Sequence, residues 1–224
     1  GLDIQADGTY VDLTMGGGGH TSEILRRLGS NGRLYSFDQD PDAAANAPTD
    51  DRFTFVASNF RFVRGAMRLR GVEQVDGILA DLGVSSHHFD AKHRGFSFRG
   101  DALLDMRMNT RGKRTAADIV NTYDKDALAR IFSDYGELDT TWKIANCIER
   151  ARSQKLIETT AGLVEAVKPC TPPKEEAKFL TKLFQALRIE LNGEMEALAM
   201  ALEQSLKLLK PGGRLVIMSY HSLE

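Results

Sequence analysis

The sequence predicts an α/β protein: a doubly wound parallel sheet interrupted by an all-α insert. Three observations predict it. Short apolar runs alternate with helical patterns through the first eighty residues, the stretch 101–185 reads as helical without buried strand runs, and strand character returns after "KPGG" near the end. Strand–helix alternation implies parallel strands joined by crossover helices, and a helical block between strands implies an insertion.

The elements follow in order. "TYVDL" reads as a strand ending at Asp12, "TSEILRRL" as a helix and "GRLYSFD" as the second strand. "PDAAANA" starts a short helix with Pro41 in its favoured first-turn place. "FTFVA" is a strand, "FRFVRGAMRLR" a helix and "VDGILAD" a strand closing at Asp81. The insert begins at "TAADIVNTY", where Thr115 is an N-cap and Asp118 the acid three residues on. "KDALARIFSDYG", "TTWKIANCIERARS", "TAGLVEAVK" and "EEAKFLTKLFQALRIE" continue it. A long amphipathic helix then sets Met195, Leu198, Leu202, Leu206 and Leu209 on one apolar face. "KPGG" stops it, and "GRLVIMSY" resumes the sheet. The predicted organisation is a discontinuous sheet domain, 1–100 with 186–224, around an inserted helical domain, 101–185. Both ends read as truncated, because the chain enters a strand almost at once and stops just after one.

Composition narrows the class. Apolar residues at 42% and charged residues at 27% suit a soluble globular protein. There is no apolar run of the roughly 18–20 residues that a membrane span needs, and no signal-peptide pattern. Cys147 and Cys170 suit a reducing compartment and form no metal-type cluster, so the expectation is a cytoplasmic protein without a metal. A net charge of −2 argues against a broadly basic nucleic-acid binder. Yet between Lys92 and Arg114 there are seven Lys or Arg against two acids, threaded with Phe96 and Phe98. Basic residues beside aromatics can hold phosphates and stack bases, which makes that stretch a candidate RNA surface. A second cluster, Arg61, Arg64, Arg68 and Arg70, reads as the solvated face of a helix.

The strongest local signal is "VDLTMGGGGHTSEIL", a glycine run between a strand and a helix. Glycines there let a ligand approach bare backbone amides, at the strand ends where doubly wound sheets bind ligands. A dinucleotide fingerprint would take Gly16 and Gly18, but Thr21 fills its third glycine place; no Lys-Ser or Lys-Thr follows, which excludes a P-loop. The run also fits the D-x-G-x-G-x-G loop of S-adenosylmethionine sites, with Thr14 for the first glycine. Asp38, twenty residues after Gly18, is placed to accept from ribose hydroxyls, and Asp40 before Pro41 is the better N-cap, which leaves Asp38 free for that role. NAD and S-adenosylmethionine share that ribose, so this acid does not separate them. Asp81 stands where many methyltransferases carry an acid beside the methyl group; of the D-P-P-Y or N-P-P-Y pattern of amino-group methyltransferases, only the acid is present. "SSHH" after it makes no hydrolase elbow and has no companion ligand cluster for a metal.

Taken together, "YVDLTMGGGGH", "FDQDP", "DLGVSS", "RGFSFRGDALLDMRM", "FQALRIELN" and "GGRLVIMSYHSLE" closely resemble the bacterial small-subunit (16S) ribosomal RNA cytosine-N4 methyltransferase family, RsmH (MraW), in that family's motif order and over nearly the whole chain. The resemblance implies a class I, Rossmann-like methyltransferase sheet with an inserted helical substrate-recognition domain. It implies S-adenosyl-L-methionine as cofactor and N4-methylation of a cytidine in the decoding region. Its cofactor contacts carry over to Gly18, Gly19 and His20, with Gly16 in the same loop, and to Asp38 at the ribose, Phe60 near the adenine, and Asp81, which is also the candidate catalytic residue. The family has proline and glutamine where this chain has His87 and His88, and His88 stands at the glutamine that touches the cofactor. Candidate RNA contacts are Phe96, Phe98, Arg99, Arg107, His221 and Ser222. The implied partner is small-subunit ribosomal RNA in an assembled or nearly assembled subunit, with room left for a homodimer.

Overall fold

The structure is a computed structural model that describes residues 1–83, 92–220 and 223 of the 224. The chain divides into two compact units, 1–87 with 195–224 and 88–194. The sequence set these boundaries at 100/101 and 185/186. They differ because "RGFSFRGDALLDMRM" and the end of "FQALRIELN" bond to one another inside the helical unit.

The first unit is built on a five-stranded sheet, all parallel, in the order β3-β2-β1-β4-β5. The strands are β1 (Thr9–Asp12), β2 (Arg33–Asp38), β3 (Phe53–Ala57), β4 (Val75–Asp81) and β5 (Leu209–Met218). The order reverses between β1 and β4, and an open α/β sheet binds its ligands at the carboxyl ends beside such a switch point. Side chains alternate across the sheet. Tyr10 and Leu34 pack on one face with Ile24, Leu25 and Leu28 from α1 (Gly19–Arg27) and the turn after it. Val11, Leu13, Phe37 and Ile78 pack on the other, against Val63 and Met67 of α2 (Val63–Arg68) and Leu198, Ala201 and Leu208 from the long helix before β5. Apolar layers on both faces are why the strands read as near-continuous apolar runs.

Two elements depart from the sequence reading. "PDAAANA" forms a 3₁₀ turn, Pro41–Asn46, capped by the Asp40 side chain on the Asp42 amide as expected. The face predicted for the long helix also shifts: Leu198 is buried, but Leu206 is 70% exposed, and Ala201, Ser205 and Leu208 complete the buried stripe. Each four-residue step overshoots a helical turn by about 40°, so Leu198, Leu202 and Leu206 walk off the core face. β5 opens directly at Leu209, and a bulge spanning Lys210–Gly213 re-registers it against β4. The Lys210 ammonium lies 2.8 Å from Asp76 there.

The second unit contains α3 (Ala116–Thr122), α4 (Lys125–Asp134), α5 (Thr141–Arg152), α6 (Thr160–Val167) and α7 (Glu176–Asn192); the long helix α8 (Glu194–Leu208) begins at its edge. The Thr115–Asp118 capping box that starts α3 is present in both directions. Before α3, residues 92–115 form an irregular segment around the buried Phe96, Leu104, Met106 and Met108. Gly95 there has φ +73°, and a Cβ on it would sit 2.2 Å from the Leu103 carbonyl. Asn192, the last residue of α7, donates to the Met106 carbonyl at 3.0 Å and accepts from the Met108 amide at 2.9 Å. The buried Cys170 thiol donates to the Val167 carbonyl, and burial, then the adjacent Cys147 thiol, pushes it up to about 12. Among the described residues, no helix is long and apolar enough to cross a membrane.

Candidate active site

The glycine run leaves β1 at the switch point and is fixed from below by polar bonds. Asp12 is fully buried; its Oδ1 accepts from the Thr14 amide at 3.0 Å and its Oδ2 from the Thr21 hydroxyl at 2.8 Å. Thr21 also meets the Ser36 hydroxyl at 2.8 Å, so the place of a dinucleotide glycine holds a polar bridge between α1 and β2. Burial raises the Asp12 carboxyl above its ordinary value, while the Thr14 and Thr21 bonds draw it back.

Above this bridge, the Met15 amide bonds to the Phe37 carbonyl and the Gly16 amide to Asp38 Oδ2, both at 2.9 Å. The other Asp38 oxygen accepts from the Asp40 amide at 2.8 Å. Asp38 is therefore not the unengaged acid that Asp40's capping role suggested; it clamps the glycine loop while standing at the end of β2. Gly18 caps α1 at φ +78°, a left-handed conformation that costs other residues about 1–2 kcal/mol. A Cβ there would also lie 3.2 Å from the Asn46 carbonyl. At Gly17 and Gly19, by contrast, an added Cβ would meet nothing within 4 Å among the described residues. The loop thus presents a bare backbone wall that the described residues of the first unit do not fill.

Asp81 closes β4 beside this wall. Its amide bonds to Thr14 Oγ1 at 2.7 Å, and its Oδ2 lies 3.4 Å from His20 Nε2, an ion pair when His20 is protonated. Tyr220, just past β5, hydrogen-bonds to the same carboxylate, which raises the phenol above its ordinary range. Asp81 Oδ1 is buried and has no hydrogen-bond partner among the described residues. A buried acceptor left without a donor costs roughly 1–3 kcal/mol, which marks a site completed by a ligand. Phe60 opens a 3₁₀ turn beyond β3, capped by Asn59, whose amide also donates to Gln39 at 2.7 Å. Its ring packs half-buried against the α2/α8 side of the core. The fold thus gathers Gly16, Gly18, Gly19, His20, Asp38, Phe60 and Asp81 within the first unit, around the sheet's carboxyl ends.

The remaining candidates fare differently. His88, His221 and Ser222 lie outside the described residues. Phe96 is only 7% exposed, with the Arg94 guanidinium 5.6 Å from its ring centre, so it is a core residue with no face for a base. Arg107 pairs with Asp105 through two bonds of 2.7 and 2.6 Å and also bonds to the Thr110 and Gly112 carbonyls. It braces its own segment and does not present a phosphate-binding head. Phe98 is half-buried, edge-on to Phe184 at 5.8 Å, and Arg99 is exposed. Sequence reasoning passed over Asn46 and Tyr220, and read Thr14 only as the residue in the loop's first glycine place. Only Tyr220 carried a signal, as the aromatic inside "SYHSLE".

The donor set fits a nucleoside bearing a positive charge. Asp38 and Asp81 flank the loop and suit ribose hydroxyls and a sulfonium, while the wall at Gly17 and Gly19 accepts atoms at close range. Comparison with known proteins agrees. A Parabacteroides distasonis protein named "Ribosomal RNA small subunit methyltransferase H" is 60% identical over 225 residues, covering 100% of this chain and 74% of that protein. Proteins of the same name from Phocaeicola vulgatus and Bacteroides thetaiotaomicron are 58% and 57% identical, again over 100% of this chain and 74% of theirs. Residues 1–224 match the profile of the MraW methylase family, and the chain belongs to that family, with S-adenosyl-L-methionine as its cofactor.

Proposed function

We propose that this protein methylates the N4 amine of a cytidine in the decoding region of small-subunit ribosomal RNA, acting on an assembled or nearly assembled subunit. The observation that carries the substrate class is the match, at 57–60% identity over 100% of this chain and 74% of theirs, to three proteins named for small-subunit ribosomal RNA methylation. The cytidine, its N4 atom and the decoding region are supported by the motifs "RGFSF…LDMRM" and "SYHSLE". A ribosomal substrate supports a cytoplasmic location.

Bound S-adenosyl-L-methionine supplies an electrophilic methyl group on a positively charged sulfur. The protein's residues hold and orient. The backbone at Gly16, Gly18 and Gly19, with His20, lines one side; Asp38 accepts from the ribose hydroxyls; Phe60 flanks the adenine; His88 stands at the family's glutamine. Cytosine N4 is a weak nucleophile because its lone pair is delocalised into the ring, so placement carries much of the rate. Asp81 accepts a hydrogen bond from the amine, fixing the direction of the lone pair and stabilising the positive charge that develops on nitrogen. The helical unit, 88–194, recognises the subunit through Phe98 and Arg99, with His221 and Ser222 of "SYHSLE" as further RNA contacts.

The test is methyl transfer from labelled cofactor to small subunits lacking the modification, followed by digestion to nucleosides. N4-methylated cytidine from the wild type, and none from Asp81→Ala with the cofactor still bound, is the expected result. Label in another nucleoside would overturn the substrate assignment. Near-normal kcat in Asp81→Ala would remove that residue from the mechanism.

A further inference from the structure

The acid at the end of β4 has an aromatic companion that the sequence does not place beside it. Asp81 is the register partner of Met218 on β5, and the Leu82 amide bonds to the Met218 carbonyl at 3.0 Å. Tyr220 emerges two residues later, at the same carboxyl-terminal edge. Its hydroxyl is tied to the Asp81 carboxylate, yet the residue is 76% exposed. A large aromatic residue this exposed contributes little to the core. It is, however, a flat apolar face beside the acid, suited to stacking whether or not the hydroxyl is present. Asp81 Oδ1 remains without a donor among the described residues.

From this juxtaposition we infer that Tyr220 is the stacking platform for the target base. The cytosine lies on its ring with the exocyclic amine directed at Asp81. The inference rests on the cytidine reading above and names the residue that presents the base. Stacking recognises the π-face of a pyrimidine, and the neighbouring acceptor selects one that bears an amine. The four-residue amino-methyltransferase pattern would supply acid and aromatic from one loop; here the acid comes from β4 and the aromatic from the β5 exit.

The experiment compares wild type, Tyr220→Phe and Tyr220→Ala in the methyl-transfer assay, with cofactor affinity measured alongside by calorimetry. Base–aromatic stacking sets the expected loss in kcat/KM for Tyr220→Ala at between about 5- and 150-fold. Cofactor affinity should stay within about twofold, and Tyr220→Phe should keep kcat/KM within about threefold, because it retains the ring. Equal losses in both variants would assign the effect to the hydroxyl and overturn the platform. So would a matching loss of cofactor affinity in Tyr220→Ala, or no loss of transfer at all. A second measurement does not depend on turnover: quenching of a fluorescent cytosine analogue in an RNA oligonucleotide, with S-adenosylhomocysteine present. Quenching that survives Tyr220→Phe and disappears in Tyr220→Ala supports the inference, and equal quenching in all three proteins overturns it. The modified nucleoside from the wild type reports separately on the cytidine reading.

Discussion

Gly19→Ala separates what the glycine run does for the fold from what it does for the cofactor. A Cβ at this position meets nothing within 4 Å, and the residue is the first of α1. The substitution therefore leaves native contacts intact and restricts the unfolded chain, a gain of roughly 0.4–1 kcal/mol. If the cofactor lies against that wall, the same methyl group intrudes on a filled space. Overpacking costs about 1–3 kcal/mol, which weakens binding by about 5- to 150-fold. Gly18→Ala is the opposite control: at φ +78°, with its Cβ 3.2 Å from the Asn46 carbonyl, it should lose about 1–2 kcal/mol of stability. Thermal unfolding without cofactor reads the first effect and isothermal titration with S-adenosyl-L-methionine the second. A Gly19→Ala protein that binds the cofactor as tightly as wild type would show that the open wall is not where the cofactor sits.

Other outcomes follow from the helical unit. Arg99→Ala should weaken subunit binding and lower the salt slope by about 1, whereas Arg107→Ala should leave that slope unchanged, because its guanidinium is already held by Asp105 and two carbonyls. Asn192→Ala strips partners from the Met106 carbonyl and the Met108 amide; at roughly 1–3 kcal/mol for each stranded group, a loss of several kcal/mol should appear in urea unfolding. The Asp105–Arg107 pair also carries a pH signature. Burial works to raise the Asp105 carboxyl, but the Arg107 hydrogen bonds outweigh it and hold the carboxyl below its ordinary value of 3.8. A depressed carboxyl contributes stability above its unfolded pKa and loses it as pH falls through the folded value. The stability gap between wild type and Arg107→Ala should therefore narrow as pH falls below 3.8, and a gap independent of pH would refute the pairing.

The sheet was legible because its information is local. Each strand is an apolar run bounded by turn residues, and Asp12, Asp38 and Asp81 close three of them in the sequence as in the structure. The glycine loop could be placed for the same reason. Partnership across long separations was not legible. Arg107 and Phe96 have the residue types of an RNA surface, and nothing local reveals that one is engaged and the other enclosed. Asp38 looked available because its Asp40 neighbour was the better cap, but its partner is the Gly16 amide, 22 positions away. Thr14 shows in the sequence only as a substitute for a loop glycine; its bond to the Asp81 amide bridges 67 positions. Tyr220 was overshadowed by the polar His221 and Ser222 that follow it.

The insertion also sets a timetable for the ribosome that makes this protein. Lys210 at the start of β5 meets Asp76 in β4 across 134 positions, so at about 5–20 residues per second roughly 7 to 27 s separate their synthesis. Through that interval β4 has no neighbour on its β5 side, and the apolar surface that α8 covers is bare. A nascent chain with an open strand edge and uncovered core is prone to aggregation, and the helical unit, complete at Glu194, is finished before that edge is closed.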